Sequence, residues 1–300
     1  MELVKIINLT KQYEDVEVVS NVNFSLNEGE IVGLVGNNGA GKTTTMKMIV
    51  GLAKPTKGTV LFNGKDIFEN LEYYLSSVDA MIESPAFYPF LSGRENVNYF
   101  IDKNNKNNRI IDELIDIFEM RNYLDKKVNK YSLGMKQKLG IVRTIAKNPQ
   151  ILVLDEPTNG LDVHSKLKFR SCIKKIIKEE KKALLISSHD LTEIESICDR
   201  VLFIDNGKIV DAEKKKTENQ FFVECDNCKE VYDYLQSKNE ISVVSKENNR
   251  IIYVQNDLSH NVVKEMFLND YKITAFGKVE DSLLDVYFKV TGDNNEEINI

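Results

Sequence analysis

The chain has 300 residues, of which 42% are hydrophobic and 29% charged, a composition typical of a soluble globular protein with two domains. Its formal net charge of -6 argues against a general nucleic-acid-binding protein, because such proteins neutralise phosphates with clustered lysine and arginine. The sequence has no run of about eighteen apolar residues, and residues 1–11 mix acidic and basic side chains. We therefore expect neither a membrane span nor an export signal.

The cysteines include one Cys-x-x-Cys pair, but a zinc site needs a second ligand pair at suitable spacing, and the histidines lie elsewhere in the sequence. We expect reduced thiols in a cytosolic protein rather than a metal site, at Cys172, Cys198, Cys225 and Cys228.

Two strands are predicted near the N-terminus, over residues 2–9 and 18–26, with an acidic turn between them. Tyr13 precedes that turn. An exposed aromatic ring there would be able to stack on adenine, because base stacking tolerates many orientations. Ordinary half-buried packing is the alternative that the sequence leaves open.

A phosphate-binding loop is predicted where an apolar strand over residues 30–35 meets a helix over residues 43–52. Its glycines let successive N–H groups point at phosphate oxygens, and the helix N-terminus adds further donors. Lys42 would contact the β and γ phosphates of ATP, and the Thr43 hydroxyl would bind Mg²⁺. The loop consists of Gly36, Asn37, Asn38, Gly39, Ala40, Gly41, Lys42, Thr43 and Thr44.

A mostly helical segment follows two further strands, at residues 59–62 and 77–82. Ser92 and Glu95 have the spacing of a capping box and predict the start of a helix. The aromatic cluster just before it is compatible with either core packing or a docking surface: Phe87, Tyr88 and Phe90. We expect a helical subdomain over about residues 84–146.

Ser132 is predicted to cap a helix that runs toward Ala146, and by itself capping is the more common role for such a serine. The apolar run over residues 151–154 then predicts a buried parallel strand, which delivers Asp155 and Glu156 to the carboxyl edge of the sheet. Asp155 would hold Mg²⁺ and Glu156 would deprotonate an attacking water. The alternative is an acidic turn at the start of a helix.

His189 follows another apolar strand, residues 183–186, after a predicted helix over residues 163–179. A histidine after a strand is more often structural, but this one stands at the third strand end that carries polar ligands. We therefore favour contact with the γ-phosphate or the attacking water. A hairpin over residues 201–204 and 208–210 completes the first domain, residues 1–213.

A second domain is predicted over residues 220–290, after a lysine-rich linker at residues 214–219. Its elements alternate in the order of a βαββαβ plait and are followed by a last helix and a polar tail, residues 291–300. No motif with recognisable chemistry occurs in it. The elements are predicted at residues 220–225, 228–238, 241–246, 250–255, 258–269, 271–276 and 281–290.

Taken together, these motifs resemble the ATP-binding subunit of an ABC transporter over residues 1 to about 210. The resemblance implies an α/β P-loop NTPase fold with a helical subdomain, a paired ATPase subunit and a separate integral membrane permease. It also implies Tyr13 as the A-loop residue, Asp155 and Glu156 as the Walker B acids, residues 159–162 as the D-loop and His189 as the switch histidine.

Two departures narrow the resemblance. The general signature Leu-Ser-Gly-Gly-Gln is replaced by Tyr131-Ser132-Leu133-Gly134-Met135, in which Ser132 and Gly134 are kept to contact the other subunit's ATP. Glu83 stands where most members carry the Q-loop glutamine, and a carboxylate there can still bind Mg²⁺. Both features, and the segment Glu83-Ser84-Pro85-Ala86-Phe87-Tyr88-Pro89, resemble the corresponding motifs of the bacitracin-resistance and lantibiotic-immunity exporters.

The resemblance implies an ATPase on the cytoplasmic face of the membrane that drives export of an antimicrobial peptide or a hydrophobic drug, with no nucleic acid as partner. A soluble ABC ATPase that acts on ribosomes or nucleic acid is the alternative. The single cassette, the absence of a heptad run and the acidic balance of the sequence count against it.

Overall fold

The computed structural model describes residues 1–101, 108–212, 220–226, 228–238, 241–247, 249–255 and 262–278. The chain divides into two compact units, Met1–Glu213 and Lys214–Ile300. The predicted linker 214–219, the helix at 281–290 and the tail 291–300 lie outside the described residues.

The first unit is an α/β structure in which the predicted strands and helices occur in the predicted order. The structure adds a short strand at residues 65–66 and helices at residues 71–77 and 191–197, which the sequence analysis did not predict. Its strands and helices are, in chain order, β1 Glu2–Tyr13, β2 Val16–Asn27, β3 Ile31–Val35, α1 Lys42–Ile49, β4 Lys57–Phe62, β5 Lys65–Asp66, α2 Leu71–Ser77, β6 Val78–Met81, α3 Gly93–Phe100, α4 Asn108–Ile117, α5 Leu133–Ala146, β7 Ile151–Leu154, α6 Val163–Glu179, β8 Ala183–Ser187, α7 Leu191–Ile197, β9 Arg200–Asp205 and β10 Lys208–Ala212.

A six-stranded sheet in the order β10-β9-β3-β8-β7-β6 forms the centre of this unit. The strands from β9 to β6 are parallel, and β10 pairs antiparallel with β9. Every residue of β3, β7 and β8 is buried, as parallel strands covered on both faces require. Because β3, β6, β7 and β8 run in one direction, the segments that follow them meet at one edge.

A second, antiparallel sheet in the order β2-β1-β4-β5 shares one hydrophobic core with α1 and the central sheet. The shared core includes Leu9 of β1, Leu26 of β2, Met46 of α1, Val153 of β7 and Leu185 of β8. This packing fixes α1, which begins at the end of the glycine-rich loop, against the strands that carry the acidic residues.

The helical segment begins at the predicted cap. The Ser92 side chain accepts from the N–H of Glu95, and the Glu95 carboxylate accepts from the N–H of Ser92, so the capping box is confirmed. Two of the aromatic rings that precede the cap, Tyr88 and Phe90, contact each other and remain exposed, and Tyr88 also contacts Tyr99 of α3. These exposed rings are therefore not a buried core cluster. Of the two alternatives that the sequence left open, core packing is excluded for them, and a docking surface stays a prediction.

The second unit has the strand and helix order of a βαββαβ plait. In the part of this unit that the structure describes, four strands form an antiparallel sheet in the order β12-β13-β11-β14, with a core of its own. The last described strand lies two residues beyond its predicted position. The elements are β11 Gln220–Cys225, α8 Cys228–Gln236, β12 Ile241–Glu247, β13 Arg250–Gln255, α9 Val262–Leu268 and β14 Ile273–Lys278.

Cys225 and Cys228 belong to this second core, as unpaired thiols whose sulfur atoms lie 2.9 Å apart. Burial, followed by the hydrogen bond with Cys228, raises the pKa of Cys225 to about 12. A protonated thiol is a poor nucleophile and a poor metal ligand.

Candidate functional site

The glycine-rich loop curls around the Lys42 side chain. The Lys42 ammonium donates to the carbonyl oxygens of Gly36, at 2.6 Å, and Asn37, at 3.2 Å. Gly41, the residue before α1, has φ +107°, a conformation that side chains rarely adopt. Gly36 also has no room for a side chain, because a Cβ there would lie 2.2 Å from the Ile204 carbonyl oxygen. Both glycines are therefore required by the backbone path.

Asp155 lies at the centre of a hydroxyl network. The Thr43 hydroxyl donates to its Oδ2 at 2.8 Å, and the Ser187 hydroxyl donates to its Oδ1 at 2.6 Å. Asp155 is buried. Within the described ranges, no lysine, arginine or histidine forms an ion pair with this carboxylate. A buried carboxylate without a counter-charge is costly, so the site favours a cation.

Glu156 adopts a left-handed backbone conformation, with φ +47°. Its N–H donates to the Ser187 hydroxyl at 2.9 Å, and its carboxylate lies 3.0 Å from Nδ1 of His189. The Asn159 side-chain amide donates to the same carboxylate oxygen. Strained non-glycine backbone of this kind costs on the order of 1 to 3 kcal/mol and is concentrated at functional sites. The turn thus holds one carboxylate between an imidazole and an amide.

Glu83 is the second acid at this edge with a left-handed backbone, with φ +59°. It follows β6, the neighbour of β7, and its side chain is 63% exposed. The Lys47 ammonium of α1 lies 2.6 Å from its Oε1. In this structure Glu83 is therefore paired with a lysine.

A cavity of about 490 Å³ lies over these groups, a size suited to a small-molecule ligand. The predicted residues that line it are Asn37, Asn38, Gly39, Gly41, Lys42, Thr43, Thr44, Glu83, Asp155 and Glu156. Val18 of β2 and Leu133 of α5 also line it. The structure thus brings the glycine-rich loop and all three acids to one cavity.

The other predicted site residues lie outside the lining of this cavity: Tyr13, Gly36, Ala40, Ser132, Gly134 and His189. Tyr13 ends β1 with its side chain 48% exposed and the Lys11 ammonium 4.9 Å from its ring centroid. Ser132 caps α5, because its hydroxyl accepts from the N–H of Met135. A side chain at Gly134 would lie 3.1 Å from the Gly160 carbonyl oxygen, so α5 begins close to the D-loop.

Comparison with known proteins decides the family. The ABC transporter family matches residues 19–159. The bacitracin transport ATP-binding protein BcrA of Bacillus licheniformis is 35% identical over 299 residues, which cover 97% of each chain. The chain belongs to the ABC transporter ATP-binding proteins. This ABC subunit is accordingly an ATPase, which binds and hydrolyses a nucleotide to energise transport.

Two other similar proteins agree with this assignment. The lantibiotic transport ATP-binding protein SrtF of Streptococcus pyogenes is 36% identical over 208 residues, covering 69% of the ABC subunit and 89% of SrtF. The dimeric bacterial ABC transporter cassette MJ0796 has a TM-score of 0.62 and 25% identity, and the match covers 69% of the ABC subunit and 96% of MJ0796. No helix in the described part of the ABC subunit has the length and apolar character that crossing a membrane needs.

Sequence reasoning missed three side chains at the site of this ABC subunit. Ser187 bridges Asp155 and Glu156, and Lys47 pairs with Glu83. The buried Gln137 donates to the carbonyl oxygens of Glu156 and Pro157, both at 3.2 Å. A signal existed for Ser187, a hydroxyl at the end of a buried apolar strand, whereas Gln137 and Lys47 look like ordinary polar positions of a helix.

Proposed function

We propose that two copies of this subunit, or one copy and a related cassette, pair head to tail and drive a separate permease that exports an antimicrobial peptide of the bacitracin or lantibiotic type, or a hydrophobic drug. The observation that carries the proposal is the convergence of Thr43, Asp155 and Glu156 on one cavity. The similarity to BcrA over 97% of both chains supports the substrate class.

ATP is held by its phosphates in this proposal. The loop from Gly36 to Thr44 offers backbone N–H groups, and the N-terminus of α1 adds positive potential. The Lys42 ammonium now donates to the carbonyl oxygens of Gly36 and Asn37. When ATP binds, it donates to phosphate oxygens in their place. Tyr13, half exposed at the end of β1, stacks on adenine.

Mg²⁺ fits the donor set. Asp155 is a buried carboxylate whose hydrogen-bond partners are neutral hydroxyls, and Thr43 supplies one of those hydroxyl oxygens. Thr43 and Asp155 would hold the ion, with Glu83 as a further oxygen donor lining the same cavity. When bound, Mg²⁺ neutralises charge on the β and γ phosphates.

Glu156 acts as the general base that takes a proton from the attacking water as it adds to the γ-phosphorus. General-base catalysis contributes on the order of 10² to 10⁴ in rate. Asn159 and His189 contact the same carboxylate and orient it toward the cavity. In this proposal His189 also contacts the γ-phosphate or the attacking water.

Each ATP-binding site is completed by residues of the partner subunit in this proposal. Ser132 and Gly134 at the start of α5 contact the γ-phosphate bound by the partner, because a helix N-terminus offers free N–H groups. Leu133 between them is 74% exposed. Support comes from MJ0796, a related cassette that forms a dimer.

The subunit works at the cytoplasmic face of the membrane, and residues 220–290 form an accessory domain whose partner is the dimer or the permease. Nucleic acid is not a partner in this proposal. BcrA matches across the length that includes the second unit, which supports a shared role for that unit.

Resistance measurements test the proposal. The chain expressed with its own permease should raise the inhibitory concentration of bacitracin or a lantibiotic, and Glu156→Gln should remove that protection because transport needs ATP hydrolysis. Lys42→Ala serves as the matched control, in which nucleotide binding itself is lost. Full protection by the Glu156→Gln subunit would contradict the assignment of the base.

A further inference from the structure

Glu83 poses an electrostatic problem for a cavity that receives a polyphosphate. Asp155, Glu156 and Glu83 all line this cavity. Their backbones are adjacent, because β6 and β7 pair in register and the Asp155 N–H donates to the Met81 carbonyl oxygen at 2.8 Å. Each uncompensated carboxylate near the phosphates lowers nucleotide affinity, since like charges repel at short range.

The helix that supplies the phosphate-binding lysine also supplies a cation for Glu83. Lys47 stands four residues after Thr43 on α1, so the two side chains share one face of the helix. Its ammonium lies 2.6 Å from Glu83 Oε1, a short charge-assisted contact. Lys47 also lies in the last turn of α1, where the helix dipole favours a positive charge.

We propose that Lys47 is a positioning residue that, as long as Mg²⁺ is not bound, neutralises Glu83 and holds its carboxylate away from the phosphates. The pair lets this chain carry an acid at a position next to the nucleotide without a loss of nucleotide affinity. The inference rests on the proposed function, because it matters only where the cavity binds a nucleotide.

The expected effect is moderate. The Lys47 side chain is 33% exposed and that of Glu83 is 63% exposed, so solvent screens the pair. Loss of Lys47 should weaken nucleotide binding by about two- to fivefold, the range for exposed ion pairs. The effect should shrink at high salt, because mobile ions then screen the free carboxylate.

Four variants of the full chain separate charge compensation from a structural role. The dissociation constant of methylanthraniloyl-ATP is measured by fluorescence in EDTA, at low and at high salt. Lys47→Met should weaken binding at low salt, and Lys47→Arg should bind like the wild type. Glu83→Gln should bind at least as tightly as the wild type, and Lys47→Met with Glu83→Gln should match Glu83→Gln alone.

Two results would overturn the inference. One is equal weakening by Lys47→Met in the wild-type and Glu83→Gln backgrounds, which would mean that Lys47 acts on the phosphates or on the fold. The other is wild-type affinity in Lys47→Met. Lack of any nucleotide binding by the wild-type chain would overturn the proposed function itself, together with this inference.

Discussion

Ser187→Ala removes the hydroxyl that joins Asp155 and Glu156. Ser187 is fully buried; it donates to Asp155 Oδ1 at 2.6 Å and accepts from the Glu156 N–H at 2.9 Å. Alanine fits the same space but makes neither bond. The variant therefore tests whether this bridge positions both acids, with little change in packing.

The magnitude follows from the two lost bonds. A hydrogen bond to a charged group is worth about 1.5 to 3 kcal/mol and a neutral one about 0.5 to 1.5 kcal/mol. We expect Ser187→Ala to lower the free energy of unfolding by about 2 to 4 kcal/mol. Mutation of a residue that orients a metal ligand typically lowers metal affinity or activity by about 10- to 100-fold. If Asp155 binds Mg²⁺ as proposed, the Mg²⁺ concentration for half-maximal ATPase activity should rise by about tenfold or more in Ser187→Ala.

Ser188→Ala is the matched control. Ser188 is also buried, donates to Glu193 Oε2 at 3.2 Å and accepts from the Asp190 N–H at 3.0 Å. Thermal melts should show comparable destabilisation for both variants, whereas Mg²⁺ titrations of ATPase activity should show a large shift in Ser187→Ala. An unchanged Mg²⁺ dependence in Ser187→Ala would refute the role given to this hydroxyl.

Three further variants probe the glycine-rich loop, the turn at Glu156 and a partly buried acid. Gly41→Ala should lose measurable methylanthraniloyl-ATP binding, because φ is +107° and a Cβ would lie 2.8 Å from the Val18 carbonyl oxygen; tight binding would show that the loop can relax. Gln137→Ala should lower kcat by about tenfold or more with nucleotide affinity nearly unchanged in steady-state assays, because its amide supports the Glu156 turn; a pure loss of affinity would argue otherwise. Burial raises the pKa of Asp79 in the folded protein. The contribution of this carboxyl group to the free energy of unfolding is therefore lost as the pH rises from its pKa in the unfolded chain through its higher pKa in the folded protein. Asp79→Asn should therefore raise the melting temperature near pH 7 but not below about pH 4, and an equal gain at both pH values would contradict this cause.

Much of the fold follows from local patterns in the sequence. The apolar runs of β3, β7 and β8 predict buried parallel strands, and such strands place their following residues at one edge. Capping at Ser92 and Ser132 is likewise local chemistry, since each serine needs an N–H three residues later. The βαββαβ order of the second unit follows from periodicity.

The strand ends of the first hairpin could not be read from apolar residues. β1 and β2 run to Tyr13 and from Val16, beyond the predicted limits of residue 9 and residue 18. The residues at these ends are mostly polar and exposed, but backbone pairing with β2 continues from Lys11 to Tyr13. Ladder hydrogen bonds do not require burial, so hydrophobic alternation ends before the strands do.

The details of the site depend on contacts between residues distant in sequence. The pairing of Lys47 with Glu83 and the bridge from Ser187 to Asp155 join different elements. The left-handed backbones of Glu83 and Glu156 are also set by the surrounding structure, since glutamate does not favour positive φ. The sequence predicts which acids belong to the site, and tertiary structure decides how each carboxylate is held.

Capture of the partner is the decisive test of the proposed role in transport. The Glu156→Gln subunit, loaded with Mg²⁺ and ATP, is purified from detergent-solubilised host membranes, and the proteins that co-elute are identified. We expect a multi-spanning permease that is retained with ATP and lost with Lys42→Ala. Recovery of ribosomes or nucleic acid in place of a membrane protein would contradict the role in transport and favour a soluble ABC ATPase.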